Sequence, residues 1–539
     1  NICFEVIQNV VPVMEDSRSF EGAFRDRIFR AKFSSLVVED LRHAMSNLGV
    51  PNVNESHSVD ARQEIDLRLG VSFSRLMTQY FRANFAAHLG QVARSVTYGP
   101  CQMPTLWFCV HRHCCIRRFK PIPYWHLVGV LATESGVEFT ADGAEGRAWQ
   151  EERARHQVRR AQASTETTIT AVERRRVRWE RPLPLNTVTM LQQASERLGL
   201  SPGDTMYYAE QLYLKGVLSY PRTETNRYPD AFDVALLVRT LHVPEAPWAA
   251  AAARVADCLT PPREDGVDHG DHPPITPVKW ATEAQCRDSA AWALYKLVCG
   301  HFLATVAPDC FTSEAEARVE LGGVEFRAVS SRCIPGLFSW CDITGDPVED
   351  AGEMDVAELQ PGDLCRVVSV VVREGATEPP PYLSEAKLLG LMEEHGIGTD
   401  ASMAQHVGNI LKRGYVWLDQ ETRELVPAAL GLALVFAYTM VDPGLVRPTV
   451  RSAIENECGN VAKGKARKGE VVARVMRIFE RKFDYFRRHL DRIPVMLAVA
   501  LAEDQGREPD PASEAWKQWT SALDATAAIS LEDLLGSRG

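Results

Sequence analysis

The residues best suited to chemistry lie in Ser219–Pro229, SYPRTETNRYP. Tyr220 ends a short strand-like run, Val217–Tyr220, and Pro221 restricts the chain just after it. Arg222 stands two residues further on. A tyrosine hydroxyl titrates near ~10, so it is a poor nucleophile until a base or a positive field favours the phenolate. Arg222 can supply that field, and its guanidinium can grip a phosphodiester through two parallel hydrogen bonds. A tyrosine–phosphate ester keeps the energy of a broken backbone bond, so a strand opened this way can be resealed without ATP. An isolated Tyr-Pro-Arg is more often a core tyrosine beside a surface arginine, so the elements around it must carry the reading.

Those elements are two helical blocks interleaved with β text. Residues 35–118 read as mostly helical, 121–181 as strands with a charged stretch from Arg147 to Arg160, and 313–372 as strands again. A helical block, 185–305, lies between the β segments, and a second, 384–495, follows them. In the first block, Thr187 is the expected cap of a helix reaching Gly199, Ser201-Pro202 opens the next, and Gly216 ends it. In the second, Ser384 opens a helix, Asp400 is the expected cap of another, and the strand Tyr415–Leu418 follows. Helix, turn, helix, strand, twice, is the plan of a winged helix-turn-helix. Residues 1–34 read as one helix and a strand near Ile28–Phe33, the end of a domain, and the tail holds a short helix near Ser530–Leu535.

Composition excludes several classes. The chain has 539 residues, 45% apolar and 24% charged, which rules out a mainly disordered protein. Lys plus Arg is 60 against 71 Asp plus Glu, net −11, so it is no uniformly basic nucleic-acid binder, although a local basic channel remains open. No apolar run approaches the ~20 residues needed to span a bilayer, and the start, NICFEVIQNVVPVMED, lacks the pattern of a signal peptide. The 13 cysteines contain no C-x-x-C pair and suit free thiols in a reducing, intracellular compartment.

The longer motifs carry a resemblance. SYPRTETNRYP, GDHPPITP at Gly270–Pro277, HGIGTDAS at His395–Ser402 and KRGYV at Lys412–Val416 occur in this order in type IA topoisomerases. SVDARQEIDLRLG at Ser58–Gly70 and YGPCQMPTLWFCV at Tyr98–Val110 match as well. HPPITPVKWATEA and RKFDYF resemble the eukaryotic topoisomerase III beta branch, and the likeness runs from residue 1 to about 495. It implies a multidomain α+β, toroidal fold with helical winged-helix-like domains and a β arch. On that plan 1–34 is a remnant of a Toprim domain, most of which is missing. Residues 35–120 and 379–497 form a helical domain, 121–184 and 306–378 the arch, 185–305 the tyrosine-bearing domain, and 498–539 a tail of unknown role.

The same resemblance implies a reaction. Tyr220 attacks one strand and keeps its 5′ phosphate, a second strand passes, and the break is resealed, which relaxes negative supercoils and decatenates DNA. Arg222 and His272 hold the phosphate. Arg62 and Asp66, four apart on one helical face, contact the strand near the break, with Gln102, Thr399 and Asp400. Pro100-Cys101 stands where the bacterial form of the motif has an arginine, as in the beta branch, and Met103 stands where a threonine is expected. The family's D-x-D-R-E-G-E element, which holds Mg²⁺, is expected immediately before Asn1, so the magnesium ligands are expected to be absent from this chain. The alternative is a catalytically incomplete single-strand-binding fragment. Implied partners are single-stranded DNA or RNA and a Tudor-domain scaffold protein, in the nucleus or the cytoplasm, with no membrane. A tyrosine recombinase fits poorly, because it would not carry the HGIGTD block.

Other signals are weaker. GNVAKGKA, Gly459–Ala466, resembles a Walker A loop but ends in Ala466 instead of Ser or Thr, so no ATP is expected. Residues 451–490 hold 11 Lys/Arg against 5 Asp/Glu, net +6, a basic surface suited to a single strand. Cys109, His111, His113, Cys114 and Cys115 crowd one helix without a second ligand pair, so no metal is expected there. Arg174, Arg175, Arg176, Arg178 and Trp179 could stack on bases or form a charged strand edge.

Overall fold

The computed structural model describes residues 2–13, 28–85, 96–334, 336–345, 356–504 and 511–531. Alternating burial explains the β segments. In β5 (Val324–Cys333), Val324, Phe326 and Ala328 are buried while Glu325 and Arg327 face out, the period of a half-buried strand. It joins β1 (Pro123–Thr133), β2 (Glu138–Gly143), β3 (Glu166–Trp179), β4 (Cys310–Leu321) and β6 (Leu364–Ala376). All pairs are antiparallel, and the order β1-β2-β5-β4-β3-β6 closes into a barrel with no free edge. Phe139 and Phe326 fill it against small residues, Ala141, Ala315, Ala317 and Ala328.

The charged stretch near Arg147–Arg160 is a helix, α5 (Glu151–Ala161). Ala154, Val158 and Ala161 recur at helical spacing and bury against the barrel, while its arginines face water. Gly322 and Gly323, both at positive φ, make the β4–β5 turn beneath its end. A Cβ on Gly322 would lie 2.1 Å from the Arg160 carbonyl oxygen, so the helix can seat only on glycine.

Before the barrel come α1 (Ile2–Val10), α2 (Val38–Ser46), α3 (Val53–Phe85) and α4 (Gln102–Arg118). Inserted between β3 and β4 are α6 (Thr187–Leu198), α7 (Pro202–Leu214), α8 (Val234–Leu241), α9 (Ala249–Asp257) and α10 (Ser289–Thr305). After the barrel, β7 (Leu383–Ser384) leads into α11 (Glu385–Glu394), α12 (Met403–Lys412), β8 (Val416–Leu418) and β9 (Glu424–Pro427). The three strands form one small sheet, so the winged plan of the second block holds. In the first block the strand Val217–Tyr220 is reduced to one bridge, Leu218 to Pro277. The chain ends with α13 (Ala429–Val441), α14 (Pro448–Ala462), α15 (Lys468–Arg488), α16 (Arg492–Asp504) and α17 (Glu514–Ala527).

Several local expectations move. The cap of α6 is Asn186, not Thr187, because Thr187 turns its hydroxyl to the carbonyls of Pro221 and Thr223. The N-cap position of α12 is Ser402, not Asp400. Ile28–Phe33 gives only a bridge, Arg30 to Gly49. The tail also carries α17; of the expected helix near Ser530–Leu535 only Ser530 and Leu531 lie within the described residues. Trp519 of α17 is fully buried, 4.5 Å edge-on to Phe436 of α13. Among the described residues no helix is long and apolar enough to cross a membrane.

Candidate active site

Two motifs 50 residues apart lie side by side. The N–H of Ser219 donates to the Thr276 carbonyl at 2.9 Å, and that of Thr276 to Ser219 Oγ at 2.8 Å. Further on, the Asn226 N–H donates to Val267 O at 3.1 Å. Between these ties Asp271 acts as a hub. Its Oδ1 accepts from Thr225 Oγ1 at 2.6 Å and Thr223 Oγ1 at 3.2 Å, and its Oδ2 from the Glu224 N–H at 2.7 Å. The loop after the tyrosine is therefore built on the aspartate of GDHPPITP, which fixes the neighbouring His272.

Tyr220 is half-buried, with its ring 4.5 Å from His272 and 5.2 Å edge-on to Tyr213. Its N–H donates to Ser34 O at 2.7 Å. Arg222 donates from Nε and Nη2 to Oε1 of Glu210 (3.0 and 2.5 Å) and from Nη1 to Ala401 O at 2.7 Å. One hydrogen on each terminal nitrogen stays uncommitted, the pair a phosphate can take. An open cleft of about 430 Å³ is lined by Tyr220, Arg222, Glu224, His269, Asp271, His272, Asp400 and Ala401. A second, of about 640 Å³, lies beside it, also lined by Tyr220 and His272 and adding Arg30, Lys32, Tyr213 and Lys463.

Burial dominates the protonation of this site. It pushes the Tyr220 phenol up; Arg222 opposes, while Asp400 and Glu210 add to the rise. Burial also raises Glu224, helped by Asp400 and Asp271 and opposed by His269 and Arg62. Asp400 rises through burial and through Asp271, against the Ala401 N–H, Arg222 and Arg62. His272 goes down through burial, Arg30 and Lys32, although Asp271 pulls the other way. Near neutrality the histidine is thus neutral, and the carboxyls hold protons more readily than exposed ones.

The structure brings Tyr220, Arg222, His272 and Asp400 into one cleft. Thr399 sits next to it, its N–H donating to Ser402 Oγ at 3.0 Å. Arg62 and Asp66 share a face of α3, but that face meets α14. Arg62 Nε pairs with Glu455 at 2.8 Å, and Asp66 is held by both terminal nitrogens of Arg451, a residue only 2% exposed. Arg62 still acts on the cleft through its field on Glu224 and Asp400. Gln102 is 5% exposed and donates to Thr97 O and Oγ1 at 3.4 Å, so it lines neither cleft. Glu210, Glu224, Asp271, Ser34 and Arg451 were not singled out by sequence reasoning. Asp271 and Glu224 sit inside quoted motifs and could have been; Ser34 and Arg451 carry no local signal.

Gly459–Ala466 is the end of α14 and a turn, with Lys463 at the C-cap, not a phosphate loop opening a helix. His111 bonds Ile529 O at 2.8 Å and His113 bonds Tyr382 Oη at 2.9 Å. Arg175 pairs with Glu314, Arg178 with Asp309, and Arg176 lies over Phe311 on the face of β3.

A family model described as DNA topoisomerase matches residues 50–473. DNA topoisomerase 3-beta-1 of Mus musculus is 41% identical over 489 residues, 90% of this chain and 55% of that protein. The chain belongs to the type IA topoisomerase family. Within it the likeness is to the topoisomerase III beta group: the 3-beta protein of Arabidopsis thaliana is 39% identical over 94% of this chain and 57% of its own. The chain spans about half the length of these curated relatives. Full-length topoisomerase I of Thermotoga maritima matches in fold, with a TM-score of 0.67 at 21% identity over 86% of this chain and 74% of that one. The family is consistent with a general magnesium requirement. Among the described residues no group of three or more His, Cys, Asp or Glu is placed to hold a metal ion, so the described side chains alone do not build a site for one.

Proposed function

We propose that this chain carries the strand-breaking centre of a type IA topoisomerase. Tyr220 Oη attacks a backbone phosphorus of an unpaired strand, the bond to the 3′ oxygen breaks, and the 5′ phosphate stays on the tyrosine. After a second strand passes, the 3′ oxygen returns and expels the phenol. Relaxation of negative supercoils and decatenation follow on DNA, and unpaired RNA offers the same phosphodiester.

The observation that supports this most is the open cleft, lined by Tyr220, Arg222 and His272 together, in which the Tyr220 and His272 rings lie 4.5 Å apart. Glu210 and the Ala401 carbonyl aim the guanidinium, whose uncommitted hydrogens suit two phosphate oxygens. Charge then builds on the phosphoryl oxygens where fixed donors already point. The carboxyls Asp400 and Glu224, raised in the folded chain, are suited to take the proton that the phenol loses. An acidic protein can bind a strand here because recognition depends on local charge.

End-labelled single strands test the polarity. With the protein expressed from its whole coding sequence, a 3′-labelled strand should become attached to protein and a 5′-labelled one should not. The reverse pattern would place the phosphate on the other side of the break and contradict the reading.

A further inference from the structure

Ser34 lies 238 residues from His272 in sequence, yet its Oγ is 2.7 Å from Nδ1 of that ring. Its carbonyl accepts the Tyr220 N–H at 2.7 Å. One residue therefore touches both the backbone of the nucleophile and the side chain beside it. Ser34 Oγ has no other hydrogen-bond partner among the described residues, and neither has Nε2 of His272, which belongs to a ring lining both clefts.

We propose that Ser34 is a positioning residue: its hydroxyl donates to Nδ1 of His272, which leaves the ring proton on Nε2 as a neutral donor to the phosphate that Tyr220 attacks. The identity of the ligand rests on the strand-cleavage reading above; the tautomer does not.

The chemistry is a matter of proton count. A neutral imidazole has one N–H and one lone pair. The groups facing His272 are Asp271, Arg30, Lys32 and the Tyr220 ring, and with burial their sum disfavours the imidazolium. The ring is thus neutral near pH 7, and an anion can approach it only at its N–H. If Nδ1 carried the proton, the lone pair of Nε2 would face the phosphate and repel it. A hydroxyl donating at Nδ1 removes that alternative, as the partner of one ring nitrogen commonly sets the state of the other. The carbonyl of the same residue holds Tyr220, so ring and nucleophile keep their spacing.

Ser34→Ala tests this, because it removes the hydroxyl and keeps the carbonyl that binds Tyr220. Protein labelled with ¹⁵N-histidine, with His272 assigned by its loss in His272→Gln, reports the tautomer at pH 8. Wild type should show Nε2 protonated and Nδ1 as an acceptor. Ser34→Ala should move both nitrogens towards mixed values, and Ser34→Thr, which restores a hydroxyl, should return them. Single-turnover cleavage of an oligonucleotide should fall about tenfold in Ser34→Ala, the scale of one hydrogen bond, with strand affinity within about twofold. Ser34→Thr should recover most of the rate.

A wild-type His272 protonated on Nδ1 would overturn the proposal. So would an unchanged tautomer in Ser34→Ala, or a changed tautomer with an unchanged rate. If wild type forms no covalent adduct at all, the cleavage reading fails, and the tautomer shift still decides what Ser34 does to the ring.

Discussion

Replacing Arg451 by Met should destabilise the helical unit more than any surface change. Arg451 is 2% exposed and sits between Asp66 of α3 and Glu455 of its own helix, while Glu455 also holds Arg62. Methionine matches the volume of the stem but leaves two carboxylates against one remaining cation. Removing one partner of a fully buried ion pair costs about 3–5 kcal/mol; with Asp66 about one-third exposed and Glu455 still paired to Arg62, about 2–3 kcal/mol is expected. For a unit of this size that is a fall in Tm of roughly 5–10 °C. Differential scanning calorimetry at pH 7.5 reads it, and adding Asp66→Asn to Arg451→Met, which leaves Glu455 with Arg62, should restore part of the loss. A fall below about 2 °C for Arg451→Met, or no recovery in the double variant with Asp66→Asn, would refute the buried-charge argument.

Other outcomes follow from the same geometry. Arg222→Lys should slow single-turnover cleavage roughly 10- to 100-fold with little change in strand affinity, since a lysine cannot keep Glu210 and Ala401 while gripping two phosphate oxygens. Asp400→Asn should raise Tm at pH 8 and have little effect at pH 4. A carboxyl raised in the folded state is unfavourable above its folded value, and that penalty vanishes as pH falls through it towards the unfolded value. Affinity for unpaired strands should fall steeply with salt despite the net charge of −11, and fluorescence anisotropy at several salt concentrations checks it.

What could be read from the sequence was whatever is encoded locally. SYPRTETNRYP and GDHPPITP singled out Tyr220, Arg222 and His272, which the structure brings to one cleft, and Ser201-Pro202 and Ser384 marked helix starts that the structure has. Closure of the six strands could not be read, because β1 pairs with β6 across some 240 residues and no local pattern encodes register. The helix α5 was hidden by its arginines; only the spacing of Ala154, Val158 and Ala161 betrays it. Asn186 displaced Thr187 as a cap because the Thr187 hydroxyl is drawn to the loop that carries the tyrosine. For the site, motif position suggested that Arg62, Asp66 and Gln102 touch the strand. The structure ties the first two to α14 and turns the third inward, arrangements set by packing between distant helices.

The central claim is that Tyr220 forms the covalent bond. The direct measurement is mass spectrometry of the peptide that carries nucleotide after wild-type protein, expressed from its whole coding sequence, is trapped on a single strand by denaturation. Tyr220→Phe serves as the control, since it removes only the hydroxyl and should leave folding and strand binding intact. The account predicts nucleotide on Tyr220 in wild type and no adduct in Tyr220→Phe. An adduct on another residue, or equal attachment in both proteins, would contradict it.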